Sequence, residues 1–574
     1  MRRLLRVQPI VIALCALITL SSAAAAEPAA LRLVDYAGGR NTFTIINSER
    51  KRIIDTKSEE NAIALPFVPA HPSLSFAAGM RPFDRGGTVR FQITLRPKSG
   101  PEVKLYDRSL TETGWWEERI DLSSYALAGG TLLFRRSLVD GPPLRLLNSS
   151  WGDPVIVSSQ GAPAPSVILV SLDTVRADRL GATGNPKART PALDRLAAEG
   201  ALYEQAYSSS TWTFPSHQSL FFGLYPNINP YPNPTPGVPT PDTSQLVPLA
   251  EIFHNAGYLT AGFTGGGYIS HTFGFSRGFD TYYMFKFQQG PETPGQCPPE
   301  RFDGQEVASR ATRWLQDRGR APFFLFLHTY DAHDRCPFRK PGGDQLSWGF
   351  SGAEEKQRAL DYYDEMIAKA DNLIATLLRQ LDTLGLAQST LVVVFSDHGE
   401  GFAEHGIIGH GSSIKPYEEI SRVPLILRYP GVVQAGQRMS MPVSLVDLAP
   451  SILALLKVPS SARTDGVLLP GSPNASTGAA RPLFIQSDDI LAVRDGRYKL
   501  ITSRTGAFAD EVYDLEQDRG ETRSLAGNDA GVTAALRQQA TAYWSRASST
   551  ASRPPTLEQL DPETRERLRA LGYQ

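Results

Sequence analysis

The chain has 574 residues, of which 41% are hydrophobic and 20% charged, and its formal net charge is −1, from 58 basic and 59 acidic residues. This length predicts several domains, and the composition is ordinary for a globular protein. The balanced charge argues against a strongly basic surface, so we expect no nucleic-acid partner.

The first 26 residues have the pattern of a secretory signal peptide. Three arginines precede an apolar stretch at 10–20, and small residues follow at 21–26. This order is typical of a cleaved signal, and the apolar stretch is short for a bilayer span. We therefore expect cleavage near Ala26 and a secreted or periplasmic protein with no stable membrane span. An uncleaved membrane anchor is the alternative.

Two cysteines, Cys297 and Cys336, remain after the expected cleavage. In an oxidising compartment they could form a disulfide. Two separate thiols are equally compatible with the sequence, and both interpretations stay open.

The segment 27–158 is predicted to consist of β-strands. At 88–95 apolar and polar residues alternate with the period of a half-buried strand, and a second short strand is expected at 131–134. Frequent glycine and proline separate these runs, and no long helical pattern occurs. We predict a β-sandwich, of jelly-roll type, in which Trp115 and Trp116 contribute to packing rather than to a sugar-stacking surface.

After a Pro- and Ser-containing linker at 158–165, strands and helices alternate. Continuous apolar runs predict strands buried on both faces at 167–172, 323–327 and 391–395. Helical patterns cover 190–206 and 353–386. This alternation predicts an α/β fold with a parallel or mixed sheet between helices.

The α/β catalytic domain is expected to span 166–480. The segment 481–574 contains short strands and a final helix at 562–571, which predicts a small α+β subdomain continuous with that domain.

Acids and histidines follow the three predicted strands. Asp173 follows the first, His328 and His333 the second, and Asp397 and His398 the third. Open α/β sheets bind ligands at the carboxyl ends of their strands, and histidine is common in metal binding and proton transfer. Six of the nine histidines lie in these segments or near them: His217, His328, His333, His398, His405 and His410.

One divalent metal ion is the expected cofactor. Asp397 and His398 offer an oxygen and a nitrogen ligand in one turn, and Asp173 offers a second carboxylate. A mixed oxygen and nitrogen set favours Zn²⁺ or Mn²⁺, although Ca²⁺ or Mg²⁺ is possible. Glu400 is expected to lie at the surface or to support a ligand from behind.

Thr213 is the candidate nucleophile. Pro215 suits the first turn of a helix, so Thr213 is expected at a helix N-terminus, where exposed N–H groups stabilise an anion. A hydroxyl beside a divalent metal has a lowered pKa and becomes nucleophilic. On local sequence alone, an ordinary N-cap is the favoured interpretation of this residue.

Together these motifs resemble the sulfatase family of the alkaline-phosphatase superfamily, from about Ser166 to the C-terminus. The matching segments are 170–178, 190–200, 213–217, 223–226, 396–400, 404–406, 409–411, 417–419, 493–500 and 513–515. The resemblance implies a metal site made by Asp173, Asp397 and His398, with the hydroxyl of Thr213 at the ion.

The resemblance also implies catalytic roles. Thr213 would attack the substrate, and His333 and His410 would contact its anionic group or protonate the leaving oxygen. His217 stands where the family usually has arginine and would orient the nucleophile.

Three positions depart from the family pattern. Family sulfatases carry Cys or Ser at position 213, which is oxidised to formylglycine, and threonine is not known as a substrate for that modification. Thr174 stands where many sulfatases have another metal-binding Asp, and 261–268 lacks the Lys and His often found there. In these respects the chain is more similar to the phosphoethanolamine transferases and lipoteichoic-acid synthases, which use threonine.

These departures favour a hydrolase that acts on phosphate-type esters, phosphodiester or phosphonate, of a small molecule, lipid or glycan. A true sulfatase is the first alternative. A non-catalytic carbohydrate-binding protein with a degenerate catalytic domain is the second.

Overall fold

The structure, a computed structural model, describes residues 30–37, 42–54, 58–83, 86–228, 246–285, 303–318, 320–333, 338, 349–475, 481–546, 560, 565 and 568. Three predictions lie wholly or largely outside these residues: the signal peptide, the pairing of Cys297 with Cys336, and the final helix at 562–571. Within the described ranges, no helix combines the length and the hydropathy that a membrane span requires.

The described part of the N-terminal region contains two four-stranded antiparallel sheets. Their strands, in spatial order, are Ala30–Arg32, Ser149–Ser158, Pro72–Met80 and Gly114–Asp121 in one sheet, and Glu60–Ala64, Thr131–Asp140, Thr88–Arg96 and Val103–Leu110 in the other. Inward-facing residues of both sheets, including Phe76, Phe91 and Phe134, surround Trp151 in one buried core. The short helix Leu144–Leu147 precedes the last strand of this sandwich.

One hairpin of the N-terminal region belongs to a different sheet. Strands Phe43–Ile46 and Glu49–Arg52 pair with each other, and the second pairs antiparallel with Thr281–Met284 at the edge of the central sheet. The N-terminal region is therefore joined to the rest of the protein by strand pairing as well as by packing.

Within the described residues, the central sheet has ten strands. Their spatial order is Phe43–Ile46, Glu49–Arg52, Thr281–Met284, Leu259–Thr264, Phe323–Thr329, Ser166–Leu172, Thr390–Phe395, Leu425–Arg428, Ala201–Tyr203 and Gln437–Met439. The five strands from Thr281–Met284 to Thr390–Phe395 run parallel. Their carboxyl ends therefore meet along one edge, as a ligand site in an open α/β sheet requires.

Helices cover both faces of this sheet. In Ser166–Leu172 the side chains of Ile168 and Val170 enter one core, and those of Val167 and Leu169 enter the other. This alternation buries both faces, which explains the continuous apolar run in the sequence. The helices of the described region beyond the sandwich are Pro191–Ala198, Thr213–Phe222, Leu249–Asn255, Gly304–Arg318, Ala353–Thr383, Glu418–Ser421, Leu448–Leu455 and Ala530–Ser545.

Smaller sheets complete the fold. Strands Arg422–Val423, Ala206–Tyr207 and Val443–Ser444 form a three-stranded sheet, hereafter the small sheet. Gly401–Phe402 pairs with Ile408–Gly409. The C-terminal sheet is antiparallel, is packed by helix Ala530–Ser545, and consists of Leu483–Ser487, Ile490–Asp495, Tyr498–Ser503 and Glu511–Asp514.

The predicted fold class, an α/β protein with a mixed sheet between helices and a strand-rich N-terminal region, is confirmed. The predicted helix at 190–206 was too long, because the observed helix Pro191–Ala198 is followed by strand Ala201–Tyr203. Gly200 lies directly against the strand Leu425–Arg428, where an added Cβ would fall 2.1 Å from the carbonyl oxygen of Leu427. The helix therefore ends before Gly200, and the chain continues as the strand Ala201–Tyr203, which pairs with Leu425–Arg428.

Candidate active site

Two neighbouring strands of the central sheet position the carboxylates of Asp173 and Asp397. Asp173 follows Ser166–Leu172 directly, and Asp397 and His398 follow Thr390–Phe395 after one residue. The two strands are parallel and paired, so their ends lie side by side. All three side chains are fully buried.

Thr213 is the first residue of helix Thr213–Phe222, and its side chain is fully buried. The N-cap position belongs to Trp212, and no side chain caps the helix. The interpretation of Thr213 as an ordinary N-cap was therefore wrong. Its Oγ1 lies 3.3 Å from Oδ2 of Asp173 and 3.3 Å from Nε2 of His398.

Asp173, Asp397 and His398 form a compact set of metal ligands. One ligand atom of each lies within 4.8 Å of the other two. The Nδ1–H of His398 donates to the carbonyl oxygen of Gly399 at 3.0 Å, which leaves Nε2 with its lone pair for the ligand side. That Nε2 atom lies 3.3 Å from Oδ2 of Asp397.

The two buried carboxylates of this ligand set favour the binding of a cation. Burial, and then the charge of Asp173, raises the pKa of Asp397 well above its ordinary value. Within the described part of the chain, no group donates a hydrogen bond to the buried Oδ2 of Asp397. Buried charges in proteins are paired or bind metals, and two carboxylates with one imidazole are a donor set that fits a divalent ion.

His217 contacts the backbone of Thr213 rather than its hydroxyl. Its Nδ1–H donates to the carbonyl oxygen of Thr213 at 2.8 Å, and its Nε2 accepts from the hydroxyl of Ser171 at 2.9 Å. Burial, and then the neighbouring His328, lowers the pKa of His217 well below its ordinary value. A neutral imidazole with these two bonds holds the first turn of the helix against the strand that precedes Asp173.

His328 lies inside the site, although the sequence placed it only at a strand end without a role. Its Nε2 lies 3.2 Å from Oδ2 of Asp173, and its ring packs 5.3 Å from the ring of His217. His328 pairs with Ser171 on the adjacent parallel strand, two residues before Asp173. Knowledge of this strand register would have placed His328 in the site.

His333 and His410 lie together beside the metal ligands. The ring centroids of His333 and His410 are 4.9 Å apart, and those of His410 and His398 are 4.2 Å apart. Nδ1 of His410 lies 3.2 Å from Oε2 of Glu400, which is 2% exposed. Glu400 is therefore not a surface residue, and it supports a histidine rather than the ion.

Thr174 has a φ of +63°, which is rare for a β-branched residue. Its N–H points to Oδ1 of Asp397 at 3.4 Å, and its carbonyl oxygen accepts from the hydroxyl of Tyr363 at 2.6 Å. Such strain persists only when the surroundings over-determine it, and it is common at functional sites. Here it turns the backbone between Asp173 and the following loop.

The family model described as Sulfatase matches residues 165–458, just over half of the chain. The chain therefore belongs to the sulfatase family of the alkaline-phosphatase superfamily and is, by family, a sulfatase-like ester hydrolase. The predicted family is confirmed.

Two curated relatives and one solved structure are similar to this chain. The ulvan-active sulfatase of Formosa agariphila is 27% identical over 339 residues, which cover 53% of this chain and 64% of the relative. The Δ4,5-hexuronate-2-O-sulfatase of Bacteroides thetaiotaomicron is 23% identical over 425 residues, 64% of this chain and 86% of the relative. The phosphonate monoester hydrolase of Agrobacterium radiobacter shares the fold, with a TM-score of 0.53 and 20% identity, over 67% of this chain and 95% of that one.

Proposed function

We propose that this protein is a metal-dependent hydrolase of phosphodiesters or phosphonate esters that uses Thr213 as its nucleophile. The observation that carries the proposal is the position of the Thr213 hydroxyl, 3.3 Å from both Asp173 and His398 at the end of a helix. The helix N-terminus adds partial positive charge where an anionic substrate would bind.

The residues present fit one divalent ion held by Asp173, Asp397 and His398, with the hydroxyl of Thr213 at the same point. When bound, such an ion would neutralise the carboxylates and the charge on the substrate, and would lower the pKa of the hydroxyl. The mixed ligand set favours Zn²⁺ or Mn²⁺ over Ca²⁺ or Mg²⁺.

The first half of the proposed reaction transfers the phosphoryl group to the chain. The hydroxyl of Thr213 releases its proton to water and its Oγ1 attacks phosphorus. The bond from phosphorus to the leaving oxygen breaks, and that oxygen receives a proton from His410 or His333. Glu400 holds the ring of His410 through Nδ1. In the second half, water attacks phosphorus and gives a proton to the same histidine. The bond from phosphorus to Oγ1 of Thr213 breaks, and that oxygen takes a proton from water.

Threonine is the reason to favour phosphoryl over sulfuryl chemistry. A formylglycine hydrate expels sulfate through its second hydroxyl, and threonine has no such group. A sulfated threonine would therefore stall, whereas a phosphothreonine can be attacked at phosphorus. The structural similarity to a phosphonate monoester hydrolase is compatible with this preference.

A true sulfatase is the second candidate, and the printed names of the curated relatives favour it. Those names concern sulfate esters of ulvan and of hexuronate. Both candidates predict an anionic ester as substrate. They differ in whether a sulfate ester or a phosphorus ester is turned over faster, so one comparison of substrates separates them.

The test compares aryl sulfate, aryl phosphodiester and aryl phosphonate monoester on metal-replete enzyme. We expect kcat/KM for one of the phosphorus esters to exceed that for the sulfate by about tenfold or more. Faster multiple turnover of the sulfate would contradict the phosphoryl preference. A single turnover of sulfate that leaves a sulfated Thr213 peptide, detected by mass spectrometry, would support it.

The nucleophile is tested by Thr213→Ala. Removal of a nucleophile lowers kcat by about 10³- to 10⁶-fold in comparable systems, and we expect a loss of this order with the metal content unchanged by elemental analysis. Thr213→Ser keeps a hydroxyl at the same position and is the matched control, with activity reduced far less. Unchanged turnover in Thr213→Ala would remove this residue from the reaction.

A further inference from the structure

A cavity of about 680 Å³ lies between the small sheet and the C-terminal sheet. Tyr207 lines it from the small sheet, and Arg494 and Arg497 line it from the C-terminal sheet and its turn. A second cavity of about 180 Å³ adjoins it, because both are lined by Gln205 and Arg519. None of the residues of the candidate active site lines either cavity.

Five arginines line the two cavities: Arg422, Arg438, Arg494, Arg497 and Arg519. Two of them have carboxylate partners within 4 Å, since Arg438 pairs with Glu204 and Arg497 with Asp514. For the other three, the described part of the chain provides no carboxylate within ion-pair distance.

Each acidic residue of the lining is already engaged with a basic residue: Glu204 with Arg438, Glu516 with Arg497, and Glu418 with Lys499. Glu418 lies 3.2 Å from Nζ of Lys499 and accepts from the hydroxyl of Tyr207 at 3.0 Å. Glu516 lies 3.5 Å from Arg497. They therefore leave positive charge uncompensated in the cavities.

Arg494 is the most unusual of these groups. It is 4% exposed, its guanidinium packs 4.7 Å from the centroid of the Tyr207 ring, and one of its nitrogens donates to the amide oxygen of Gln205. Among the described residues, its Nε and Nη1 atoms have no hydrogen-bond partner. A buried guanidinium without a carboxylate is costly unless an anion accompanies it.

Arg422, which lines the second cavity, also lacks a carboxylate partner among the described residues. Its Nε donates to the carbonyl oxygen of Glu204, which is a neutral partner. Burial, and then the charge of Arg519, lowers the pKa of Arg422. Positive charge is thus concentrated along the line from Arg494 through Arg519 to Arg422.

We propose that the joined cavities bind an anion that carries at least two oxyanion groups, carboxylate, sulfate or phosphate, with Arg494 at one end, Arg422 at the other and Arg519 between them. Guanidinium groups recognise such oxyanions through charge-assisted hydrogen bonds. The volume of the joined cavities admits a molecule of disaccharide size. An acidic oligosaccharide and an inorganic polyphosphate both carry several oxyanion groups, so both have the required chemistry.

The test is calorimetric titration of the full metal-loaded protein with two probes, inorganic tripolyphosphate and a disaccharide that carries one carboxylate and one sulfate. Each of Arg494→Gln and Arg519→Gln is expected to weaken binding of the accepted probe about tenfold or more, since a charged hydrogen bond is lost. Added salt is expected to weaken binding to the wild-type protein. Preference for the disaccharide would identify an acidic glycan, and preference for tripolyphosphate a phosphorylated ligand.

Arg504→Gln is the matched control, because Arg504 is on the same subdomain, pairs with Asp489 and lines neither cavity. It should bind both probes as the wild type does. If Arg494→Gln does not fold, Arg519→Gln still decides the question, because Arg519 is exposed. Wild-type affinity in both cavity variants, or no binding of either probe to the wild type at millimolar concentration, would overturn the proposal.

Discussion

At the scale of single residues, the main feature of the site is the close approach of two buried carboxylates. Asp173 and Asp397 lie against the same imidazole, and each charge opposes ionisation of the other. In water this repulsion would be small, but burial strengthens it. The arrangement therefore costs stability in the metal-free protein, and a bound cation would recover it.

We predict opposite effects of Asp397→Asn with and without metal. In the presence of chelator, the variant should unfold at a higher temperature than the wild type near neutral pH, because one of two repelling carboxylates is gone. With saturating Mn²⁺ or Zn²⁺ the order should reverse, since binding at a hundred times the dissociation constant stabilises by about 2.7 kcal/mol and the variant loses a ligand. Calorimetric unfolding with and without chelator measures both arms.

The control for this experiment is Asp382→Asn, in the long helix Ala353–Thr383, where the carboxylate is half exposed. It should respond to metal as the wild type does. Equal destabilisation of Asp397→Asn under both conditions would mean that Asp397 contributes to packing alone and does not hold an ion.

At the scale of elements, a pair of buried aspartates joins a helix to the turn that carries His333. Oδ1 of Asp331 accepts from the N–H groups of Asp303 and Gly304, at the start of helix Gly304–Arg318. Burial, and then the charge of Asp303, raises the pKa of Asp331 from 3.8 to about 7. Below about pH 7 the protonated carboxyl is therefore the form that the folded protein prefers.

This shift predicts a pH dependence of stability. The folded state keeps the proton of Asp331 between pH 3.8 and about 7, and the unfolded state releases it, so the contribution is full below 3.8 and is lost as the pH rises through 7. At about 1.4 kcal/mol per tenfold change, the loss is on the order of 4 kcal/mol at most. Asp331→Asn keeps the oxygen acceptor without the charge and should reduce this decline.

Urea unfolding at pH 5, 6, 7 and 8 measures the effect. Asp361→Asn, at an exposed position of the long helix, should leave the pH dependence unchanged. A decline of the same size in Asp331→Asn and in the wild type would exclude Asp331 as its source.

The elements that the sequence predicted well are those whose pattern is local. The run at 167–172 is apolar at every position but Ser171 because both faces of the strand are buried, and it was predicted within one residue. Helix Ala353–Thr383 was recognised from its period over a long window. The three strand ends predicted Asp173, Asp397 and His398 as neighbours, because parallel strands end at one edge.

What the sequence did not predict depends on distant contacts. The end of helix Pro191–Ala198 is set by the strand around Leu427, more than two hundred residues away. The contact of His328 with Asp173 depends on register between strands, and the burial of Glu400 depends on the loop that carries His410. No local pattern contains this information, and propensity is overridden where such packing decides.

At the scale of the whole molecule, buried ion pairs join the N-terminal sandwich to the central sheet. Nζ of Lys51, in strand Glu49–Arg52 of the central sheet, lies 2.6 Å from Glu49 and 2.9 Å from Glu117 of the sandwich. Arg310 of helix Gly304–Arg318 lies 2.9 Å from Glu49. Burial opposes the charge of Lys51, but Glu117 and Glu49 offset it and raise its pKa. The cluster thus fixes three elements at one point.

We predict that Lys51→Met destabilises the protein by about 3–5 kcal/mol, because it leaves Glu117 without its nearest cation in a partly buried position. The double variant Lys51→Met with Glu117→Gln should recover part of this loss, since no unpaired charge remains. Lys104→Met is the control, because Lys104 is 63% exposed and its pair with Asp107 is worth about 1 kcal/mol or less. Thermal unfolding measures all three variants. The active-site strands lie further into the sheet, so activity per folded molecule on an aryl ester should stay unchanged in Lys51→Met. Equal stability of Lys51→Met and Lys104→Met would contradict a role for the cluster in domain attachment.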